Sequence, residues 1–305
     1  MFINEILITT STFQLDGNPF ISTLALKKIN VLTNSFRRRL TEEEMIGLAS
    51  EKIVGILAGL EPLNAKVLAH FPSLKVISRC GVGVDNVDLD YAKQNNILVC
   101  NTPFAPTQSV AELTVGLMIN LLRGINRAEN KLRLGEWKPV LGRLLFGKTV
   151  GIVGYGNIGK AVSGLLRAFG CSILVYDPFT HNIEFPLVTL DELAQQADII
   201  TLHLPLTSHT RYLIDANFLK KLKPSAVIIN TSRGGIVDEA ALLQAIYENK
   251  IAGAALDVFE QEPYTGPLIE SDRLILTPHM SSYSEEGRRQ QELDAAKNLV
   301  EGLAI

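Results

Sequence analysis

Cysteine is scarce in this chain. Cys80, Cys100 and Cys171 are the only three among 305 residues. They lie far apart, in neither a zinc-binding spacing nor an even disulfide set, which argues against a structural metal and a disulfide-stapled secreted fold. Excess charge is missing too. The net charge is −3, so no basic field draws the chain to nucleic acid or to an anionic membrane. No stretch reaches the ~18 apolar residues a transmembrane helix needs. The candidate "VGLMINLL" (115–122) is too short and carries Asn120. The start, "MFINEILITTSTF", lacks the basic and long apolar regions of a signal peptide. A protein of a reducing cytoplasm is expected, without nucleic-acid or membrane partners. Histidine is rare as well: only five are available to carry protons at neutral pH.

The composition that remains is that of an ordinary globular protein, 47% hydrophobic and 20% charged, long enough for about two domains. Short β-branched runs alternate with helical patterns. "EILITT" (5–10), "KIVGILAG" (52–59), "LKVISRC" (74–80) and "NILVCN" (96–101) read as buried strands. Helices are expected near 41–50, opened by a Thr41/Glu44 capping box, and near 61–71. Val110, Leu113, Leu117 and Leu121 start a helix whose pattern continues to about residue 134. Residues 135–148 carry proline and glycine breakers. A second set of strands follows at 148–154, 172–177, 198–204, 226–231, 253–258 and 273–277, alternating with helices. The tail, 284–303, reads as an amphipathic helix with Leu293, Ala296 and Leu299 on its apolar face. Such alternation makes parallel sheets joined by helices.

"GIVGYGNIGK" (151–160) holds Gly154-x-Gly156-x-x-Gly159 between an apolar strand and a helical pattern. Gly154 permits the tight turn, Gly156 a close backbone approach to a pyrophosphate, and Gly159 close helix–strand packing. The helix N-terminus offers free N–H donors to the anion. The next strand ends in Asp177, 23 residues after Gly154. A carboxylate there accepts both hydroxyls of an adenosine ribose and repels a 2′-phosphate, which favours NAD over NADP.

"LTPH" (276–279) poses a narrower question. A histidine after an apolar run is either a proton carrier or a residue that closes a strand, and this stretch alone leaves both open. Taken with "GVGVDNVDL" (81–89), "GIVGYGNIG" (151–159), "NTSRGGIVDEAAL" (230–242) and "AGAALDVFEQEP" (252–263), it resembles the D-2-hydroxyacid dehydrogenases. Within that family the likeness is to the D-3-phosphoglycerate dehydrogenase branch, and it spans about residues 52–300.

The resemblance implies an α/β protein of two domains with a cleft between them. A Rossmann NAD-binding domain, 103–281, is inserted into a flavodoxin-like substrate domain, 1–102 plus 282–305. It implies a homodimer, the helix near 110–134 contributing to the interface. It makes His279 the acid/base, with Glu262 paired to its other nitrogen, while Glu260 is left to solvent. Arg233 becomes the guanidinium that contacts the carboxylate and ketone of a 2-oxo acid. The Val82 and Gly83 amides take the substrate carboxylate, in a loop whose glycines flank Val82. Arg79 matches a position that contacts a substrate phosphate. Asn157, Ile158, Thr207, Thr231 and Asp257 match positions around the cofactor; Asn101 and Ser109 are weaker matches.

One departure stands out. The family usually has glycine where this chain has Ser281, and the side chain falls where space near the nicotinamide is expected to be short, with Tyr283 close by in sequence. The end at Ile305 leaves no room for a serine-sensing C-terminal domain, so feedback through one is not expected. The first expectation is NAD-dependent interconversion of 3-phosphoglycerate and 3-phosphohydroxypyruvate in serine biosynthesis. Glyoxylate or hydroxypyruvate reduction is the alternative within the class. An NAD(H)-sensing protein akin to the C-terminal-binding corepressors is the alternative outside it.

Overall fold

The computed structural model describes residues 4–305; residues 1–3, part of the stretch read for a signal peptide, lie outside the described residues. The chain divides into two compact units. One takes in everything up to Pro106 together with Tyr283–Ile305, and the other is Thr107–Ser282.

The first unit alternates strands and helices: β1 (Glu5–Ile8), α1 (Pro19–Leu26), β2 (Asn30–Thr33), α2 (Glu42–Gly47), β3 (Ile53–Ala58), α3 (Ala65–Leu68), β4 (Val76–Arg79), α4 (Leu89–Gln94) and β5 (Leu98–Cys100). Its five strands are all parallel in the order β2-β1-β3-β4-β5. Alternate residues of β1 feed two apolar layers. Leu7 joins Met45, Val67 and Ala92 on one face, while Ile6 and Ile8 join Leu24 and Leu299 on the other. The capping box of α2 forms as expected, Thr41 accepting from the Glu44 amide and Glu44 from the Thr41 amide.

The second unit contains α5 (Thr107–Arg123), α6 (Ile125–Arg133), β6 (Thr149–Val153), α7 (Asn157–Ala168), β7 (Ser172–Tyr176), α8 (Leu190–Gln196), β8 (Ile199–Leu202), α9 (Ala216–Leu219), β9 (Val227–Asn230), α10 (Glu239–Tyr247), β10 (Gly253–Leu256), a 3-10 turn at Pro267–Glu270, and β11 (Leu274–Leu276). The six strands are parallel in the order β11-β10-β9-β8-β6-β7. Leu187 adds a single parallel bridge to Val175 of β7. The chain leaves β6 for β7 on one side and later returns to β8 on the other. Open α/β sheets bind ligands at the strand carboxyl ends of such a switch point. α11 (Glu285–Gly302) then carries the chain back into the first unit.

Two helices differ from expectation. The pattern from Val110 to residue 134 is not one helix: α5 stops at Arg123, and Gly124, at φ +62°, turns the chain before α6 begins. A left-handed glycine costs little there and breaks the helical hydrogen-bond ladder. The buried face of α11 is also more polar than its pattern implied. Leu293 is only half-buried, while Glu292 is buried and accepts from the Gln14 amide at 2.9 Å and from Arg288 Nε at 2.8 Å. No described helix is long and apolar enough to cross a membrane.

Candidate active site

The glycine loop lies at the switch point. Gly154 follows β6 at φ +95°, and a Cβ there would sit 2.5 Å from the His203 carbonyl oxygen at the end of β8. Gly159, in the first turn of α7, packs on the Gly154 carbonyl so closely that any Cβ would collide with it. Gly156 is different: a Cβ there meets nothing within 4 Å. It starts α7 with no side-chain cap, so the first amides, at Asn157 and Ile158, remain available to an anion. Asp177 stands just past β7. Its Oδ2 accepts from the Tyr155 amide at 2.7 Å and its Oδ1 from the Phe179 amide at 2.8 Å. The carboxylate therefore ties the glycine loop to the neighbouring strand and keeps lone pairs for further donors. An open cradle, an uncapped helix end and an acid one strand away fit a dinucleotide.

A second cluster forms where β9, β10 and β11 end. His279 Nδ1 lies 2.7 Å from Glu262 Oε2. A carboxylate only accepts, so the imidazole carries its proton on Nδ1 and leaves Nε2 unprotonated in the neutral ring. No described residue hydrogen-bonds to that Nε2. Glu262 is held in turn, its Oε1 accepting from the Phe259 amide at 3.1 Å. His279 itself has φ +52°, a left-handed conformation unusual for a side chain of this size. Asp257 sustains it. This fully buried carboxylate accepts from Thr277 Oγ1 (2.6 Å), the Met280 amide (2.9 Å) and the Ser281 amide (2.8 Å), and its carbonyl accepts from the His279 amide (2.8 Å). Ser281 is buried beside it.

Arg233 lies in the turn after β9. Asn230, the last residue of that strand, builds this turn: its Oδ1 accepts from the Ser232 amide and hydroxyl, and its Nδ2 donates to the Arg233 carbonyl at 2.9 Å. Arg233 Nη1 donates to the Ser232 carbonyl at 2.8 Å. Gly234 passes so close to the Phe259 carbonyl that no side chain fits there.

The remaining expected residues are placed as follows. Thr231 is buried at the end of β9, 2.9 Å from the Thr114 hydroxyl of α5. Thr114 gives its own proton to the Val110 carbonyl, so Thr231 is the donor of the pair. Thr207 is exposed after β8, and its oxygen caps its own turn by accepting from the His209 and Thr210 amides. Glu260 is exposed and accepts from the Tyr212 hydroxyl at 2.8 Å. Arg79, Val82 and Gly83 belong to the other unit. Arg79 ends β4 at only 6% exposure and donates through Nη1 to the Cys80 carbonyl.

Sequence reasoning passed over Asn230, although an Asn before Ser-Arg-Gly-Gly is a turn signal. It also passed over His203, just after β8. His203 Nε2 lies 3.0 Å from Thr201 Oγ1, and enclosure of the ring pushes its pKa down to about 3. A ring that stays neutral does not exchange protons near pH 7. His70, His181 and His209 are exposed.

The model of the NAD-binding domain of D-isomer specific 2-hydroxyacid dehydrogenases matches residues 115–281, more than half of the chain. The chain belongs to the D-isomer specific 2-hydroxyacid dehydrogenase family. It is 38% identical over 274 residues to the hydroxypyruvate reductase of Thermotoga maritima, covering 87% of this chain and 90% of that one. It is 42% identical over 259 residues to the D-3-phosphoglycerate dehydrogenase of Methanocaldococcus jannaschii, covering 82% of this chain but 49% of that one. The chain thus spans about half the length of that relative. Among solved structures, a glyoxylate reductase from Paecilomyes thermophila superposes with a TM-score of 0.87 at 30% identity, covering 98% of this chain and 95% of that one. Membership makes the chain an oxidoreductase of the D-2-hydroxyacid dehydrogenase class, with a nicotinamide cofactor.

Proposed function

We propose that the chain interconverts a small, unphosphorylated 2-oxo acid and its D-2-hydroxy acid with NAD(H), hydroxypyruvate or glyoxylate being the oxo acid. The observation that carries the reading is the 2.7 Å pair of His279 Nδ1 and Glu262 Oε2. The bound cofactor supplies a hydride to the substrate C2 in reduction, or accepts it in oxidation. His279 gives a proton from Nε2 to the substrate oxygen in reduction and takes it back in oxidation. Glu262 holds the tautomer that leaves Nε2 for this exchange. Arg233 steadies the charge that develops on the substrate oxygen.

Cofactor contacts are assigned to Gly154, Gly156, Asn157, Ile158, Gly159 and Asp177, with Thr207, Thr231 and Asp257 at the strand ends nearby. Asp177 makes NAD the preferred cofactor, because a 2′-phosphate would meet a carboxylate. The three free cysteines accord with a reducing, cytoplasmic setting. Trp137 at 87% and Leu141 at 100% exposure, on the irregular segment after α6, support a homodimer.

The choice of an unphosphorylated acid rests on the burial of Arg79, the residue first expected to anchor a phosphate. The hydroxypyruvate reductase relative, matched over 90% of its length, supports the same choice. D-3-phosphoglycerate is the second reading, favoured by the 42% identity to the dehydrogenase of that name. The deciding experiment is oxidation of NADH, and separately NADPH, by the purified protein with glyoxylate, hydroxypyruvate, 3-phosphohydroxypyruvate, pyruvate and 2-oxoglutarate. Best turnover of glyoxylate or hydroxypyruvate with NADH supports the proposal. A strong preference for the phosphorylated acid hands the assignment to the second reading. Tight NADH binding without turnover of any acid moves it to an NAD(H)-sensing protein.

A further inference from the structure

The loop after β4 is fixed in an unusual way: three successive carbonyls are each claimed by a donor. The Cys80 carbonyl accepts from Arg79 Nη1. The Gly81 carbonyl accepts from the Thr102 amide at 3.0 Å. The Val82 carbonyl accepts from Asn101 Nδ2 at 2.6 Å. All of these residues belong to the first unit. A trans peptide sets its N–H opposite its C=O. Pinning the Gly81 and Val82 carbonyls toward residues 101 and 102 therefore aims the Val82 and Gly83 amides the other way. Neither amide donates to any described residue, and Val82 is 38% exposed. Two adjacent N–H groups pointing outward from a strand end make an anion site.

The pins are themselves held. The Asn101 carbonyl accepts from Asn298 Nδ2 of α11 at 3.0 Å. Asn86 Nδ2 ties the far side of the loop to the Glu61 carbonyl at 2.7 Å. The Arg79 guanidinium occupies the space where a side chain on Gly81, at φ +154°, would stand. The Glu61 carboxyl, equally buried, lies within electrostatic reach of that guanidinium and accepts from the Gly59 amide at 2.9 Å.

We infer that Asn101 and Arg79 are positioning residues: they aim the Val82 and Gly83 amides at the substrate carboxylate, and Arg79 serves the loop rather than a substrate phosphate. This rests on the reductase reading above for the identity of the anion. The arrangement gives the carboxylate two donors already oriented, so less freedom is lost when the acid binds.

The test is steady-state kinetics with NADH, plus inhibition and calorimetric binding of oxamate, which carries a carboxylate but no reducible ketone. Asn101→Ala removes one pin on a partly exposed side chain. It should raise KM for every 2-oxo acid, and weaken oxamate, by about five- to tenfold. Turnover at saturation and NADH affinity should stay within about twofold, since neither depends on the loss of one such hydrogen bond. Asn101→Asp should do worse, because it sets a negative charge beside the anion. Arg79→Met should raise KM equally for hydroxypyruvate and 3-phosphohydroxypyruvate, and Arg79→Lys, which can still donate to the Cys80 carbonyl, should recover part of the loss. A KM rise confined to the phosphorylated acid would overturn the inference, as would an unchanged KM in Asn101→Ala. Should Arg79→Met fail to fold, Asn101→Ala carries the test alone. If the wild type turns over no acid yet binds oxamate, and Asn101→Ala weakens that binding, the anion site stands and the reductase reading falls.

Discussion

The main-chain amide of His279 donates to the Asp257 carbonyl at 2.8 Å, and the Asp257 carboxylate then collects the amides of the next two residues, Met280 and Ser281. A left-handed histidine is strained, and it persists only where its surroundings over-determine it. Asp257 supplies that constraint. Asparagine has the same shape, but its amide nitrogen would face a backbone N–H where an oxygen now accepts. Asp257→Asn should therefore destabilise the protein by about 2–4 kcal/mol, read from urea unfolding. It should also lower turnover by displacing His279. Unchanged stability would mean that the turn is held by something other than this carboxylate.

The His279–Glu262 pair gives a graded expectation. His279→Ala should cut turnover by about 10²-fold or more while leaving NADH binding nearly intact. Glu262→Gln keeps an acceptor for Nδ1–H but removes the carboxylate charge beside the ring. Its loss of turnover should be smaller, about tenfold. Fluorescence titration with NADH separates the two effects. Equal loss of binding and turnover in His279→Ala would count against the acid/base assignment.

Much of the architecture was legible because both sheets are parallel and buried on both faces, so their strands read as apolar runs. β3, buried at all six positions, is the plainest case. β2 escaped notice: it is an edge strand of four residues, Asn30–Thr33, none of them fully buried. The break at Gly124 was masked because the apolar spacing on its N-terminal side is strong and a single glycine is tolerated in many helices. The His279–Glu262 pair is invisible to spacing, since 17 residues separate its members. Family likeness proposed that pair, and the chain's return from β10 to β11 brings it together. Nothing in the sequence marked Asp257 as the holder of the turn, because two of its donors are backbone amides, which carry no side-chain signature.

The glycine loop separates packing from ligand approach. A methyl group at Gly159 collides with the Gly154 carbonyl, whereas one at Gly156 meets open space. Gly159→Ala should lower thermal stability and cofactor affinity together. Gly156→Ala should leave the melting temperature unchanged but weaken NADH binding, by about tenfold or more, because the methyl stands where the backbone must approach the pyrophosphate. Thermal melts and NADH titration of both variants decide it. Equal NADH affinity in wild type and Gly156→Ala would exclude a close approach at that residue.

His203 links this sheet's stability to pH. Enclosure lowers its pKa from 6.5 to about 3 in the folded protein. Between those values the unfolded chain takes up a proton on this ring that the folded chain does not. Folding is therefore penalised progressively as pH falls below 6.5, by up to about 1.4 kcal/mol per pH unit. Above 6.5 both states are neutral and the ring contributes no pH dependence. Replacing His203 with Gln removes the titrating group and retains a polar partner for Thr201. Urea unfolding of wild type and variant at intervals from pH 7.5 to pH 4.5 isolates the ring, because every other titrating group is common to both. The wild-type stability should fall more steeply with acid, the curves diverging below pH 6.5. Parallel curves would show that the ring is protonated in the folded state, and His203 would then return as a candidate proton carrier beside His279.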